Sequence, residues 1–155
     1  MATVTIIPFE SKYANDFARL NVEWLEKFFV VEPHDVELLE RCEETIIDNG
    51  GYIFFAKVDE TIAGTFSLIK SSDGVYELGK MAVSPEYQGK KLGQKLLGFC
   101  IKFAKEKQWK KILLYSNTKL ENAIYLYKKY GFVEIKQEKN PPYQRSNIKM
   151  ELVLL

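Results

Sequence analysis

One histidine and two cysteines are all that 155 residues offer in the way of imidazole and thiol groups. Cys42 and Cys100 fall on the apolar faces of two expected helices, so buried free thiols are expected rather than a disulfide, which fits a reducing cytoplasm. With one histidine there is no evident Cys–His pair, and no metal is expected. Charge of one sign is also missing. Twenty-two basic and twenty-one acidic side chains leave a net charge of +1, which argues against a nucleic-acid surface. No apolar run approaches the roughly 20 residues of a membrane helix, and no signal peptide precedes Ile6. Two nucleotide signatures are absent as well: no GxxxxGK[ST] run occurs, and no GxGxxG opens the chain. Without repeats, linkers or low-complexity tracts, residues 1–155 are expected to form one domain around one core, with 46% hydrophobic side chains to fill it.

What is present is a concentrated signal at residues 77–100, ELGKMAVSPEYQGKKLGQKLLGFC. An apolar strand-like stretch ends at Ser84 and Pro85, and Gly89 and Gly93 punctuate the turn that follows. Leu92, Leu96, Leu97, Cys100, Phe103 and Ala104 then repeat at helical spacing. A helix starting at these glycines points its unpaired first-turn amides and positive dipole end into the turn, where a pyrophosphate fits. Lys90, Lys91 and Lys95 add positive charge. An ordinary strand-to-helix connection with solvated lysines explains the same local pattern equally well.

Elsewhere the pattern predicts a strand at 3–7, a helix from about Ser11 with Tyr13, Phe17, Leu20, Trp24 and Phe28 on one face, and a second helix capped by Asp35. That second helix should turn Val36, Leu39, Cys42 and Ile46 inward. Strands at 52–58, 61–70 and 75–83 are joined by short turns at Asp59-Glu60 and 71–74, which implies three antiparallel strands in a row. The helix at 92–107 leads into an apolar strand at 112–115, and strand–helix–strand implies parallel pairing. Thr118 and Glu121 suggest a capping box for a last helix at 119–130, closed by Gly131. Strands at 132–136 and 148–154 complete the set. The fold class expected is α+β in three αβα layers, on a mixed, largely antiparallel sheet of about seven strands.

QGKKLGQ at 88–94, followed by NAIYLYKKYGF at 122–132, resembles the GNAT superfamily of acetyl-CoA-dependent N-acyltransferases. The resemblance spans roughly residues 52–132. It implies the acyl-CoA N-acyltransferase fold, in which the strands corresponding to 75–83 and 112–115 splay apart and the pantetheine arm fills the gap. It also implies that acetyl-CoA is held by the backbone of Met81, Ala82 and Val83 and by the QxxGxG/A turn, here Gln88, Gly89, Lys90, Lys91, Leu92, Gly93 and Gln94. Gln88 and Gly93 match the ends of that motif while Lys91 replaces its central glycine. A lysine there is expected to keep ordinary helical dihedrals, with Gly89 taking up the slack.

By the same resemblance Tyr127 would be the general acid to the coenzyme A thiolate, Glu77 the general base and the amide of Met81 the oxyanion donor. Tyr127 shares a helical face with Leu120, Ala123 and Ile124, so core packing is its competing use. Glu77 could equally be a solvent-facing strand residue. Leu120 stands where many relatives carry a cofactor-contacting asparagine, which leaves Asn117 or Asn122 for that contact. His34, in a turn near a helix start, is expected to be exposed. Asn21, Trp24, Tyr143 and Arg145 are candidates to line the acceptor cleft, Trp24 more as core, and Arg145, with no evident structural task, to meet a substrate carboxylate. The function expected is transfer of an acetyl group to a primary amine, on a small molecule or a peptide, by direct attack in a ternary complex. The alternatives are a binding or sensing module without turnover, or a different acyl donor. A homodimer through the apolar segment 150–155 is a further expectation.

Overall fold

The computed structural model describes residues 3–155. Seven strands, β1 (Val4–Pro8), β2 (Tyr52–Val58), β3 (Thr61–Ser72), β4 (Val75–Val83), β5 (Lys111–Ser116), β6 (Val133–Ile135) and β7 (Ile148–Val153), form one sheet in the order β1-β2-β3-β4-β5-β7-β6. Every neighbouring pair is antiparallel except β4 and β5. The helices are α1 (Ala14–Phe28), α2 (Pro33–Glu40), α3 (Leu92–Glu106) and α4 (Glu121–Lys129).

Two apolar layers explain why the sheet lies between helices. On one face Phe17, Leu20 and Leu25 of α1 and Leu38 and Leu39 of α2 bury against Ile53, Phe55 and Ala82. On the other, Leu96, Leu97, Cys100 and Ala104 of α3 and Ile124 of α4 bury against Phe66, Leu78, Ile112 and Leu114. Strands covered on both faces lose the polar alternation of a half-exposed sheet, and β3 accordingly buries seven residues in succession. Cys42 and Cys100 are buried free thiols in opposite layers.

Several local expectations fail for identifiable reasons. Asp35 is not the cap of α2: Glu32 caps it, Pro33 supplies the first turn, and Asp35 closes the capping box from inside by accepting the Glu32 amide at 2.9 Å. That register turns Val36 outward, and Leu38 takes its inward place. The helix also breaks at Arg41 and resumes as a π turn, Glu43–Ile47. The chain then passes Gly51, where any Cβ would lie 2.5 Å from the Leu68 carbonyl oxygen. Thr118 and Glu121 form no capping box, because α4 starts after Leu120 and the Thr118 hydroxyl accepts from Asn147 instead. Strand β7 lies between β5 and the short β6, which covers it only at 149–151, so the segment expected as an edge is partly covered and β6 and β1 are the outermost strands.

Candidate active site

The parallel pair β4–β5 is joined at only three positions, Val75 to Lys111, Tyr76 to Ile112 and Glu77 to Leu113. Both strands continue, to Val83 and Ser116, without pairing to each other. Into that opening runs a cavity of about 270 Å³ whose lining comes from both faces of the sheet.

A bulge re-aims β4 at this point. Thr65 faces Ala82 and Ser67 faces Gly79, so two steps along β3 match three along β4, and Lys80 takes the left-handed conformation at φ 52°. Before the bulge Tyr76 and Leu78 face the α3 layer. After it Met81 and Val83 face that layer, while Ala82 and Lys80 point to the α1–α2 side. The extra residue thereby puts Lys80 on the same side as Glu77, three positions before it, which a regular strand would have turned to the opposite face.

On the α1–α2 side the wall is made of side chains fixed to one another. Lys80 Nζ donates to Asp35 Oδ1 at 2.5 Å, and the Arg145 guanidinium reaches the same carboxylate at 2.6 and 2.8 Å. Arg145 also contacts Glu32 at 3.2 Å, and Glu32 accepts the backbone amides of Gln144 and Arg145. Burial alone would raise the Asp35 pKa, but the Arg145 hydrogen bonds and the Lys80 charge outweigh it and hold the carboxyl well below its usual range. Lys80, almost fully enclosed, is pushed down by burial despite Asp35. Arg145 therefore has a structural task, contrary to the expectation from sequence: it clamps the loop 140–147 to the start of α2, and it is not available to a substrate carboxylate.

Tyr143 is the product of that clamp. Its ring lies under Lys80 Nζ at 4.5 Å and the Arg145 guanidinium at 4.6 Å, with the exposed His34 ring 5.2 Å away. Its hydroxyl donates to Glu77 Oε2 at 3.1 Å. Burial raises the Glu77 pKa, and the Tyr143 hydrogen bond and Lys80 charge only partly counter it. Glu77 faces the cavity beside Tyr143, and Trp24, Asn21 and Tyr115 share the same wall. Trp24 is half-buried, packed against the α1–α2 core, and also lines the cavity. Tyr115 donates to Glu138 at 2.5 Å and is raised by burial and by that carboxylate.

On the α3–α4 side the wall includes the apolar residues Leu114, Leu126 and Tyr127, and it continues into the turn that starts α3. Helix α3 has no side-chain cap: its N-cap is Lys91 at φ 62°, so the lysine adopts the left-handed conformation a glycine would take, contrary to the helical dihedrals expected for it. Gly89 is also left-handed, at φ 78°, with open space beside it. Gln88 donates to the Val83 carbonyl at 3.2 Å and pins the turn to the end of β4. Of the residues expected to hold a cofactor, Met81, Ala82, Val83, Gln88, Gly93 and Asn117 line the cavity. Gly89, Lys91, Leu92 and Gln94 line a second groove that shares Val83, Gln88 and Gly93 with it. Lys90 is exposed beside the Tyr87 ring, and Asn122 is exposed on α4, away from both. Asn117 donates to the Arg145 carbonyl at 2.7 Å and accepts from the Lys119 amide, so it also ties β5 to the clamped loop. Tyr127 reaches the cavity from α4 with its ring against Phe132, and burial, with Cys100 nearby, pushes its phenol up to about 12.

An uncapped helix start, two left-handed residues before it and exposed lysines around it suit a polyanion such as a pyrophosphate, so the residues present fit coenzyme A. Among the described residues no cluster of His, Cys, Asp or Glu suits a metal, and no helix is long and apolar enough to cross a membrane. Asp35, Lys80 and the clamp were missed from sequence. The one available signal was the E-P-x-D pattern of residues 32–35, a capping box displaced by three positions.

No curated protein matches the chain in sequence. Solved structures do match in fold. An acetyltransferase of the GNAT family from Staphylococcus aureus aligns over 99% of this chain and 100% of its own, at 26% identity and a TM-score of 0.87. A PaiA N-acetyltransferase from Thermoplasma acidophilum in complex with coenzyme A aligns over 97% of this chain and 99% of its own, at 21% identity and 0.75. A spermidine N-acetyltransferase from Vibrio cholerae in complex with CoA and spermine aligns over 97% and 95%, at 20% identity and 0.71. The model of the acetyltransferase (GNAT) family matches residues 18–132, three quarters of the chain and all of the β4–α3–β5–α4 unit that builds the opening, and the chain belongs to that family.

Proposed function

We propose that this acetyltransferase moves an acetyl group from acetyl-CoA to a primary amine by direct attack within a ternary complex. The observation that carries the reading is the opening after the Glu77–Leu113 pair, with Glu77 facing it from one side of the sheet and Tyr127 from the other. The amines named in the neighbours' descriptions, spermidine and spermine, support the acceptor class.

In this reading the amides at the start of α3, with Gln88 and Lys91, hold the diphosphate, and the main chain of Met81, Ala82 and Val83 holds the pantetheine arm as a missing strand would be held. Glu77 takes one proton from the incoming ammonium, which frees the nitrogen lone pair. As the N–C bond forms and the C–S bond breaks, the Met81 amide donates to the acyl oxygen and Tyr127 gives its proton to the sulfur. The second nitrogen proton restores the tyrosine, and Glu77 returns its own to solvent. A phenol held near 12 stays protonated at neutral pH, as an acid must. Both thiols are buried and Cys100 is pushed well above the usual thiol range, which supports direct transfer over an acyl-enzyme. The described residues act as one domain, with both substrates meeting in the sheet.

Release of free coenzyme A against a panel of amines tests this. Turnover is expected, and Tyr127→Phe should lower kcat by about 10²-fold or more while leaving the coenzyme A Kd within about threefold. Tight acetyl-CoA binding with no turnover on any amine would favour a sensing module instead.

A further inference from the structure

The acceptor side of the cavity has a charge pattern that narrows the amine. Three acidic or basic side chains line it: Glu77, Lys80 and Arg145. The two cations are already matched, Lys80 by Asp35 and Arg145 by Asp35 and Glu32, so neither can receive a carboxylate without giving up a buried partner. Glu77 is the one carboxylate lining the cavity among the described residues. Its partner Tyr143 is neutral, so the carboxylate is free to accept one ammonium. Four aromatic residues share the cavity lining with it: Trp24, Phe29, Tyr115 and Tyr143. Of the uncharged polar residues on the wall, Asn21 donates its amide nitrogen to the Phe17 carbonyl at 3.0 Å, Asn117 donates to the Arg145 carbonyl and accepts from the Lys119 amide, and the Ser146 hydroxyl donates to Gln137.

Resting on the acetyltransferase reading above, we propose that the acceptor is a primary amine with a single positive charge on an aromatic or branched apolar body. The ammonium pairs with Glu77, and the body lies among Trp24, Phe29 and the two tyrosines, whose apolar ring surface excludes water. A polyamine would bring a second ammonium into a wall that has no second carboxylate to meet it. An amino acid would bring a carboxylate to two guarded cations. Both leave a charge unpaired in a partly dry site, and that mismatch is discriminated strongly.

The test is steady-state kinetics of the full chain with saturating acetyl-CoA and four acceptors: 2-phenylethylamine, n-hexylamine, spermidine and L-phenylalanine. The kcat/KM for 2-phenylethylamine is expected to exceed those for spermidine and L-phenylalanine by about tenfold or more, with hexylamine between. Trp24→Ala should raise KM for 2-phenylethylamine about fivefold or more with the coenzyme A Kd unchanged. Preference for spermidine or L-phenylalanine overturns the inference while leaving the transferase reading intact. If no acceptor turns over, the transferase reading fails by itself, and calorimetric titration of the coenzyme A-loaded protein decides the inference: 2-phenylethylamine binding more tightly than spermidine upholds it, and the reverse order overturns it.

Discussion

In the groove beside the start of α3 one continuous stretch, residues 83–94, supplies every lining residue but Leu126, and it brings Gly89, Gly93 and the exposed Lys91 to an uncapped helix start. On the α1–α2 side Asn21, Trp24, Glu77, Lys80, Tyr143 and Arg145 come from three separate parts of the chain, and Asp35 from a fourth joins Lys80 and Arg145 by buried ion pairs. A surface read by main-chain groups tolerates changes of side chain, because every residue but proline brings the same amide. A surface made of interlocked charges does not, since each deletion strands a partner away from water. The cofactor side should therefore be robust and the acceptor side brittle.

The largest break in that contrast should come at Asp35. Its side chain is fully buried and meets both Lys80 and Arg145, so Asp35→Ala leaves two cations facing each other without their shared anion. A loss of about 3–5 kcal/mol in urea unfolding is expected, a large share of a domain's total stability. Because the folded-state pKa is depressed, the contribution of Asp35 is complete above the ordinary carboxylate range. It is lost as pH falls below about 4, where the unfolded chain takes up the proton first. Wild type should thus lose stability in that window and Asp35→Ala should not show the same slope. A variant that unfolds at the wild-type urea concentration would mean the charges are no clamp.

A smaller effect is expected at Glu77, where catalysis rather than folding is the readout. Burial holds its pKa above the usual value, so the acid limb of the kcat/KM profile should lie above that of a solvated glutamate. Activity should fall as pH drops through it and the base becomes protonated. Glu77→Gln is expected to cost about 10²-fold in kcat and to erase the limb. Tyr143→Phe removes a hydrogen bond that lowers the Glu77 pKa, so it should move the limb to higher pH and keep most of the rate at alkaline pH. An unmoved limb would assign the titration to another group.

The same contrast explains what was legible in the sequence. Strand, turn and helix at 75–106 announce themselves because apolar period, proline and glycine all act locally, and the observed β4 and α3 fall within a residue or two of expectation. Tyr127 and Glu77 could be placed because each lies on one regular element. The clamp could not. Its partners are 45 and 110 residues apart, and the bulge that turns Lys80 toward Asp35 leaves no compositional mark in a strand that otherwise alternates well. The order of β6 and β7 was hidden for a related reason, since an apolar strand suits a sheet interior as well as an edge.

The finest separation of the two sides lies at Lys91, the left-handed N-cap of α3. Two substitutions divide its backbone from its charge. Lys91→Ala and Lys91→Gly both remove the ammonium, but only glycine removes the Cβ that makes φ 62° unfavourable. The glycine variant should be more stable than the alanine variant by about 1 kcal/mol in thermal or urea unfolding. If the diphosphate is held mainly by α3 amides, both variants should keep coenzyme A Kd within about threefold of wild type and of each other at moderate salt. A larger loss common to both, shrinking as salt is raised, would instead make the lysine charge the principal grip, and the cofactor side would then depend on a side chain as the acceptor side does.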